Sequence, residues 1–206
     1  MPKFLHVGCG PKRKDATTPG FNTSQWSEVR LDIDPGARPD ILGSMTDMAA
    51  VADGAMDALF SSHNVEHLYP FEVPLALAEF RRVLAADGFA VITCPDLQSV
   101  AALVAQDRLA EPAYSSPAGP ISPLDILYGH QADLARGNLY MAHRTGFTSR
   151  TLEAALREAG FARVVMLRRP RALDLWALAS KSVKSKEELR ALVDAHFPLQ
   201  GGTAEA

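Results

Sequence analysis

Cysteine is scarce in this 206-residue sequence. There are two, Cys9 and Cys94, and neither sits in a Cys-x-x-Cys pair or at a zinc-ligand spacing. A single disulfide between them stays open. Nothing reads as a secretory leader, so the expected setting is a reduced cytoplasm. No run of about 18 apolar residues occurs, which leaves no candidate membrane span. An excess of one charge is missing too. With 21 basic and 24 acidic residues, the formal charge is −3, which argues against a general nucleic-acid or membrane-surface binder. Lys12, Arg13 and Lys14 form a local basic run, read as a solvated loop. There is no internal repeat. What the sequence does have is 47% hydrophobic residues, enough for one core, and its length favours a single domain over 1–206.

Short apolar runs mark strands at Lys3 to Val7, Glu28 to Ile33, Met56 to Ser61 and Phe89 to Cys94. Before the fourth, Val73, Leu77, Phe80 and Leu84 form a helical stripe, with Gly88 expected near that helix's C-terminus. Strands alternating with helices predict a parallel sheet with crossover helices. Leu97 to Asp107 reads as a further helix. Glu111 to Pro123 carries four prolines and reads as loop. Thr148 or Ser149 caps a helix that buries Leu152 and Leu156 and ends at Gly160. Phe161 to Leu167 and Leu173 to Ala179 read as two antiparallel strands. Ser185 and Glu188 form a capping box for a last helix bearing Leu189, Leu192 and Val193. Residues 201–206 are expected to be a frayed tail.

The stretch LHVGCGPKRK places Gly8 and Gly10 just after the first strand, where a parallel sheet binds ligands. Glycines there let a ligand approach the backbone, because no Cβ intervenes. A dinucleotide needs more: a third glycine and a helix whose N-terminus receives the pyrophosphate. Residues 11–27 contain Pro11, Pro19 and Gly20 and do not support a long helix, so the pyrophosphate reading loses its footing. Asp32, at the end of the second strand, suits a ribose diol, since a carboxylate accepts two hydrogen bonds. Asp47 in SMTDMA suits an exocyclic amine such as that of adenine. Asp34 reads as a turn-former.

Together, LHVGCG, LDIDP, SMTDM, MDALFSSHNVEHL, EFRRVLAADGFAVITCPD and the later FTSRTLEAALREAGFARV resemble successive motifs of class I S-adenosylmethionine-dependent methyltransferases. The resemblance covers residues 4 to 96 and resumes near 147. It implies an α/β, Rossmann-like, seven-stranded, mostly parallel sheet with helices on both faces and a C-terminal antiparallel strand pair. It implies that Gly8, Cys9 and Gly10 hold the amino-acid end of S-adenosylmethionine. Asp32 would take the ribose, Asp47 and Met48 the adenine, and Ser62 and His63 the methionine portion, with Ile33 also counted among the cofactor-binding residues. The sequence departs from the pattern after Gly10, where the family carries a longer helix. Lys12 or Arg13 are guesses for the cofactor carboxylate.

The polar and aromatic segment within 111–147 reads as an acceptor-binding insertion or lid. Within it, His143 or His130 is the candidate base, and Tyr128, Tyr140 and Arg144 are candidate acceptor contacts. HNVEH, residues 63–67, matches an inverted zinc-protease pattern. That reading needs a helical motif and a third ligand downstream, and is set aside: no metal is expected. His6, His67 and His196 read as structural, His196 as a surface or partly buried residue of the last helix, and Cys9 as a small apolar filler. The expected reaction is methyl transfer to an oxygen or nitrogen of a small or sugar-like acceptor. The alternatives are a non-catalytic module that binds the same cofactor and a dinucleotide-dependent dehydrogenase.

Overall fold

Along Lys3–Val7 (β1) the side chains alternate with the strand's period of two. Phe4 enters one apolar cluster, while Leu5 and Val7 enter another on the opposite face. The same alternation runs through Met56–Ser62 (β4), where Ala58 and Phe60 face one way and Leu59 the other. These strands are buried on both faces, which is why each reads as a continuous apolar run. The computed structural model describes residues 1–198; the tail expected at 201–206 lies outside the described residues.

The remaining sheet strands are Ser27–Asp32 (β2), Ile41–Leu42 (β3) and Leu84–Pro95 (β5). A hairpin, Tyr114–Ser116 (β6) with Gly119–Ile121 (β7), forms a separate small sheet. Arg163–Arg169 (β8) and Asp174–Ser180 (β9) complete the main sheet. Its order is β3-β2-β1-β4-β5-β9-β8, with β9 antiparallel to both neighbours. Strand order reverses between β1 and β4, so their C-terminal ends open a crevice.

Val73–Val83 (α1) lays Val73, Ala76, Leu77, Phe80 and Val83 on one face of the sheet. Leu97–Val104 (α2), Pro123–Tyr128 (α3) and Gln131–Ala135 (α4) gather at the sheet's C-terminal edge. Ser149–Glu158 (α5), capped by Thr148, joins α1 on its face through Leu152 and Leu156. Lys186–His196 (α6), capped by Ser185 with Glu188, covers the other face.

The long connection from β1 to β2 holds only a 3-10 turn at Lys14–Ala16. Phe21 from this connection stacks on Phe4 at 4.3 Å between ring centroids and meets Trp26 edge-on at 5.2 Å. Leu189, Leu192, Val193 and Phe197 close over the same cluster. An aromatic plug and the last helix thus cover the face that a first crossover helix would otherwise cover.

Three expectations are corrected. Gly88 does not end a helix: α1 stops at Val83, where Leu84 turns extended, and Gly88 lies within β5. A Cβ there would stand 3.1 Å from Asp57 O and from Ala85 O, so backbone proximity beside a register shift explains the glycine. The 111–123 segment contains the β6–β7 hairpin despite its prolines. His196 is fully buried, where a surface or partly buried position is expected. Its Nδ1 lies 2.7 Å from Thr18 Oγ1 and its ring packs on Phe21 at 4.3 Å.

Candidate active site

At the end of β1 the chain makes a tight turn with Gly8 at φ +62° and Gly10 at φ +51°. A Cβ on Gly8 would fall 2.1 Å from Asn64 Oδ1, whereas one on Gly10 would meet nothing within 4 Å. Asn64 Nδ2 donates to Val7 O at 3.0 Å and to Ser61 Oγ at 3.2 Å, fixing the turn against the end of β4. Asp32, buried at the end of β2, accepts from Gly10 N at 2.7 Å and from Asp34 N at 2.8 Å, one bond on each oxygen. Each oxygen therefore keeps a lone pair. Cys9 is buried, and burial pushes its thiol up to about 11, which makes it a filler, not a nucleophile.

Beneath this turn lies Arg30, only 2% exposed. Its guanidinium donates to Gly10 O, Lys12 O, Ala37 O and Arg38 O at 2.5–3.1 Å. One buried cation thus ties the glycine turn to the 35–38 turn and offsets its own desolvation with four charge-assisted bonds. Ile33, half exposed, and Leu42, exposed, stand beside Asp32 at the ends of β2 and β3. Asp47 is exposed, and its Oδ1 accepts from Ala49 N at 3.2 Å. Met48 is different: its side chain is in the core and its N–H donates to Glu79 Oε2 at 2.6 Å, so it has neither to offer a ligand.

Past β4, Ser62 Oγ pairs with Thr93 Oγ1 at 2.8 Å, and His63 takes the left-handed region at φ +56° with its ring half exposed. A 3-10 turn, Val65–His67, follows. It delivers Glu66 and His67 into a cavity of about 500 Å³, lined also by His63, His130, His143, Tyr114 and Asp174. A second cavity of about 250 Å³ shares Glu66, Pro95, Ile126 and His143 and adds Tyr128 and Arg144.

The imidazoles are oriented by their neighbours. His67 Nδ1 lies 3.1 Å from Ala142 O, and His143 Nδ1 lies 2.7 Å from Ile126 O. A carbonyl only accepts, so both rings carry a proton on Nδ1, and in the neutral ring Nε2 is a free lone pair. His130 Nδ1 is 2.7 Å from Asp133 Oδ2. Burial, more than its charged neighbours, lowers the His143 pKa, which favours the neutral ring. The buried Glu66 carboxylate has no hydrogen bond on either oxygen. Its nearest partner, His63 Nδ1, is 3.4 Å from Oε1 and off the hydrogen-bond line.

Tyr140 lines neither cavity and is half exposed. Arg144 is largely spent on structure: Nη1 donates to His67 O at 2.8 Å and the guanidinium stands 4.9 Å over the Tyr69 ring. The structure therefore brings His143 and His130 to one cavity, and His143, Tyr128 and Arg144 to the other.

Residues 5–92 match the family described as the methyltransferase domain. That match spans 88 of the 206 residues, from β1 into β5, and is to a methyltransferase domain. The chain's Rossmann-like fold is shared with solved methyltransferases. A Burkholderia thailandensis 1,6-didemethyltoxoflavin-N1-methyltransferase, solved with 1,6-didemethyltoxoflavin and S-adenosylhomocysteine, is 17% identical with a TM-score of 0.55; the alignment covers 88% of this chain and 72% of that one. A SAM-dependent methyltransferase from Archaeoglobus fulgidus is 15% identical at a TM-score of 0.55, covering 87% and 86%. Another from Thermotoga maritima is 12% identical at 0.54, covering 88% and 83%. No curated protein matches the sequence. The matched methyltransferase segment ends within β5. The walls of the larger cavity contributed by residues 114–174 lie beyond it.

Several residues of this candidate site escape a reading of the sequence. Arg30 and Glu79 look like ordinary surface charges on a strand and a helix. Asn64 and Glu66 sit inside a motif whose spacing does not show which side chains turn inward. A capping box at Ser122 and Asp125 was a usable signal for α3.

Proposed function

We propose that this protein moves a methyl group to an oxygen or nitrogen atom of a small-molecule acceptor, sugar-like polyols included. The residues present fit the cofactor. Gly8, Cys9 and Gly10 would face its amino-acid end, the open space over Gly10 being the cradle that a Cβ would fill. The free lone pairs of Asp32 would take the ribose hydroxyls. Ile33 and Asp47 would border the adenine, and Ser62 and His63 the methionine portion. S-adenosylmethionine, when bound, supplies a methyl group on a sulfonium.

The chain's own contribution is position, desolvation and a proton acceptor. The segment 111–147 is the acceptor-binding part of a single domain. Its α3 and α4 wall the larger cavity with Ile126 and His130. His143 or His130 takes the proton that a hydroxyl acceptor gives up, each through an Nε2 left free by its Nδ1 partner. Tyr128 and Arg144 border the smaller cavity and would contact an acceptor's far end. The Burkholderia protein, an N1-methyltransferase solved with 1,6-didemethyltoxoflavin bound, agrees with a small-molecule reading.

One observation carries the proposal: at a single edge of the sheet, the glycine turn and a buried carboxylate with spare lone pairs stand beside a cavity rimmed by neutral-capable imidazoles. Calorimetry with S-adenosylhomocysteine tests the first half. The wild-type chain binds, and Asp32→Ala binds about 10- to 100-fold more weakly, as expected for losing two hydrogen bonds to a charged acceptor. Transfer of labelled methyl to a small-molecule extract tests the second half. Cofactor binding with no transfer to any extract would leave a non-catalytic module, and tight binding of a nicotinamide dinucleotide in its place would overturn the cofactor assignment.

A further inference from the structure

Glu66 is the least explained side chain among the described residues. It is 1% exposed, and neither carboxylate oxygen has a hydrogen-bond partner. Leaving a buried carboxylate unpaired costs several kcal/mol as an order of magnitude, so such groups are ordinarily paired or bound to a metal. The side chain lines the cavity with unused acceptor capacity on both oxygens.

Two of those imidazoles are set up in the manner of metal ligands. His67 and His143 each donate Nδ1–H to a backbone carbonyl, of Ala142 and Ile126. That outer bond fixes the tautomer and ring orientation and leaves Nε2 as the donor atom, which is the arrangement ligating histidines show. The two rings lie 4.8 Å apart between centroids. Donor atoms of Glu66, His67 and His143 all fall within 4.8 Å of one another, close enough for small rotamer changes to gather them around one ion. The backbone is already clamped at this point, since Arg144 N and Thr145 N both donate to Glu66 O, at 2.8 and 3.2 Å.

We propose that Glu66, His67 and His143 form a binding site for one divalent transition cation of the zinc or cobalt class. Two imidazoles and one carboxylate suit a borderline cation better than Mg²⁺ or Ca²⁺, which take oxygen ligands. Three protein ligands leave at least one coordination position for a ligand from the cavity, the pattern of catalytic and not of structural sites. The position opens where the acceptor is placed, so the cation selects acceptors with oxygen donors, such as vicinal hydroxyls. This consequence for the acceptor rests on the methyl-transfer reading, with His130 left as the base because a His143 Nε2 that ligates a cation cannot also take a proton; the cation site itself does not rest on it. HNVEH thus supplies its last two polar residues to the site, and the third ligand lies 76 residues further on, His143 following His67.

The test is Co²⁺ titration of the untagged, chelator-treated full chain, read by calorimetry and by the visible absorption of bound Co²⁺, with Zn²⁺ as competitor. The wild type binds one Co²⁺ per chain, Zn²⁺ displaces it, and Zn²⁺ raises the Tm. Glu66→Gln, His67→Ala and His143→Asn each weaken binding by about a hundredfold or more. Glu66→Gln keeps the shape of the side chain, so it decides the matter should a histidine variant fail to fold. Its affinity for S-adenosylhomocysteine stays that of the wild type. Asp32→Ala gives the converse: cofactor affinity falls while Co²⁺ affinity holds, which separates failure of this site from failure of the cofactor reading. Absence of Co²⁺ binding by the wild type overturns the proposal, as does binding of equal strength in the three ligand variants.

Discussion

Gly8 and Gly10 share a left-handed backbone for different reasons, and substitution separates them. At Gly8 an added methyl collides with Asn64, whose amide holds Val7 O and Ser61 Oγ. Gly8→Ala combines backbone strain with that collision and is expected to cost about 2–4 kcal/mol in urea unfolding. At Gly10 there is room, so Gly10→Ala pays only for the positive φ, about 1–2 kcal/mol. The methyl would occupy the space assigned to the cofactor, and S-adenosylhomocysteine affinity is expected to fall about tenfold or more by calorimetry, a loss of at least ~1.4 kcal/mol. Gly10→Ala that binds as the wild type does would remove the turn from the site. At the same scale, Arg30 carries a task that its sequence context conceals. Arg30→Met leaves the carbonyls of Gly10, Lys12, Ala37 and Arg38 without their donor. A destabilisation of about 2–4 kcal/mol is expected, together with weaker cofactor binding, because the turn loses its anchor.

Among the elements, α6 has the unusual duty of covering a sheet face that the β1–β2 connection leaves without a helix. The contact is close: Gly20 N donates to Ala195 O at 2.9 Å, and a Cβ on Gly20 would stand 2.6 Å from His196 Cε1. Gly20→Ala is therefore expected to push α6 outward and lower stability by about 1–3 kcal/mol, measured as a fall in urea midpoint at unchanged slope. The sequence showed α6 itself, through its capping box and its Leu189, Leu192 and Val193 stripe, but not what α6 covers. That depends on contacts between residues 18–21 and 195–196, which no local pattern encodes. The same division holds elsewhere. β1, β2, β4 and β5 were legible because strands buried on both faces must be apolar throughout. The β6–β7 hairpin was not, because three-residue strands with Pro120 in one of them resemble loop. Asp32 could be placed by its distance from the glycine turn and the strand end it occupies. Met48 could not, because the group that takes its N–H, Glu79, sits on α1. Glu66 was legible as a motif member only; its lack of partners follows from the burial that the 142–145 segment completes.

For the molecule as a whole, the two sheet faces differ in what acid does to them. The α1–α5 face is sealed by aliphatic and aromatic side chains, whereas the α6 face has a histidine at its seam. His196 is 3% exposed, and burial alone lowers its pKa from 6.5 to about 4. Its neighbours are the rings of Phe21 and Phe89 and the hydroxyl of Thr18, none of which compensates a charge. A folded-state pKa below the unfolded value means that the unfolded chain binds the proton more tightly. The neutral ring's contribution is then complete above pH 6.5 and is lost as the pH falls from 6.5 through about 4. The gap between those values corresponds to about 3 kcal/mol. His6 adds to the same trend on the same side of the sheet: burial lowers its pKa, although Glu28, 2.7 Å away, opposes the shift. Urea unfolding at pH 7 and at pH 4 should therefore show the wild type losing more stability than His196→Gln, by about 3 kcal/mol, since the variant has no ring to charge. Equal losses in the two proteins would mean that the seam between α6 and the 17–21 segment already admits water, and that α6 is a loosely seated cover instead of part of the core.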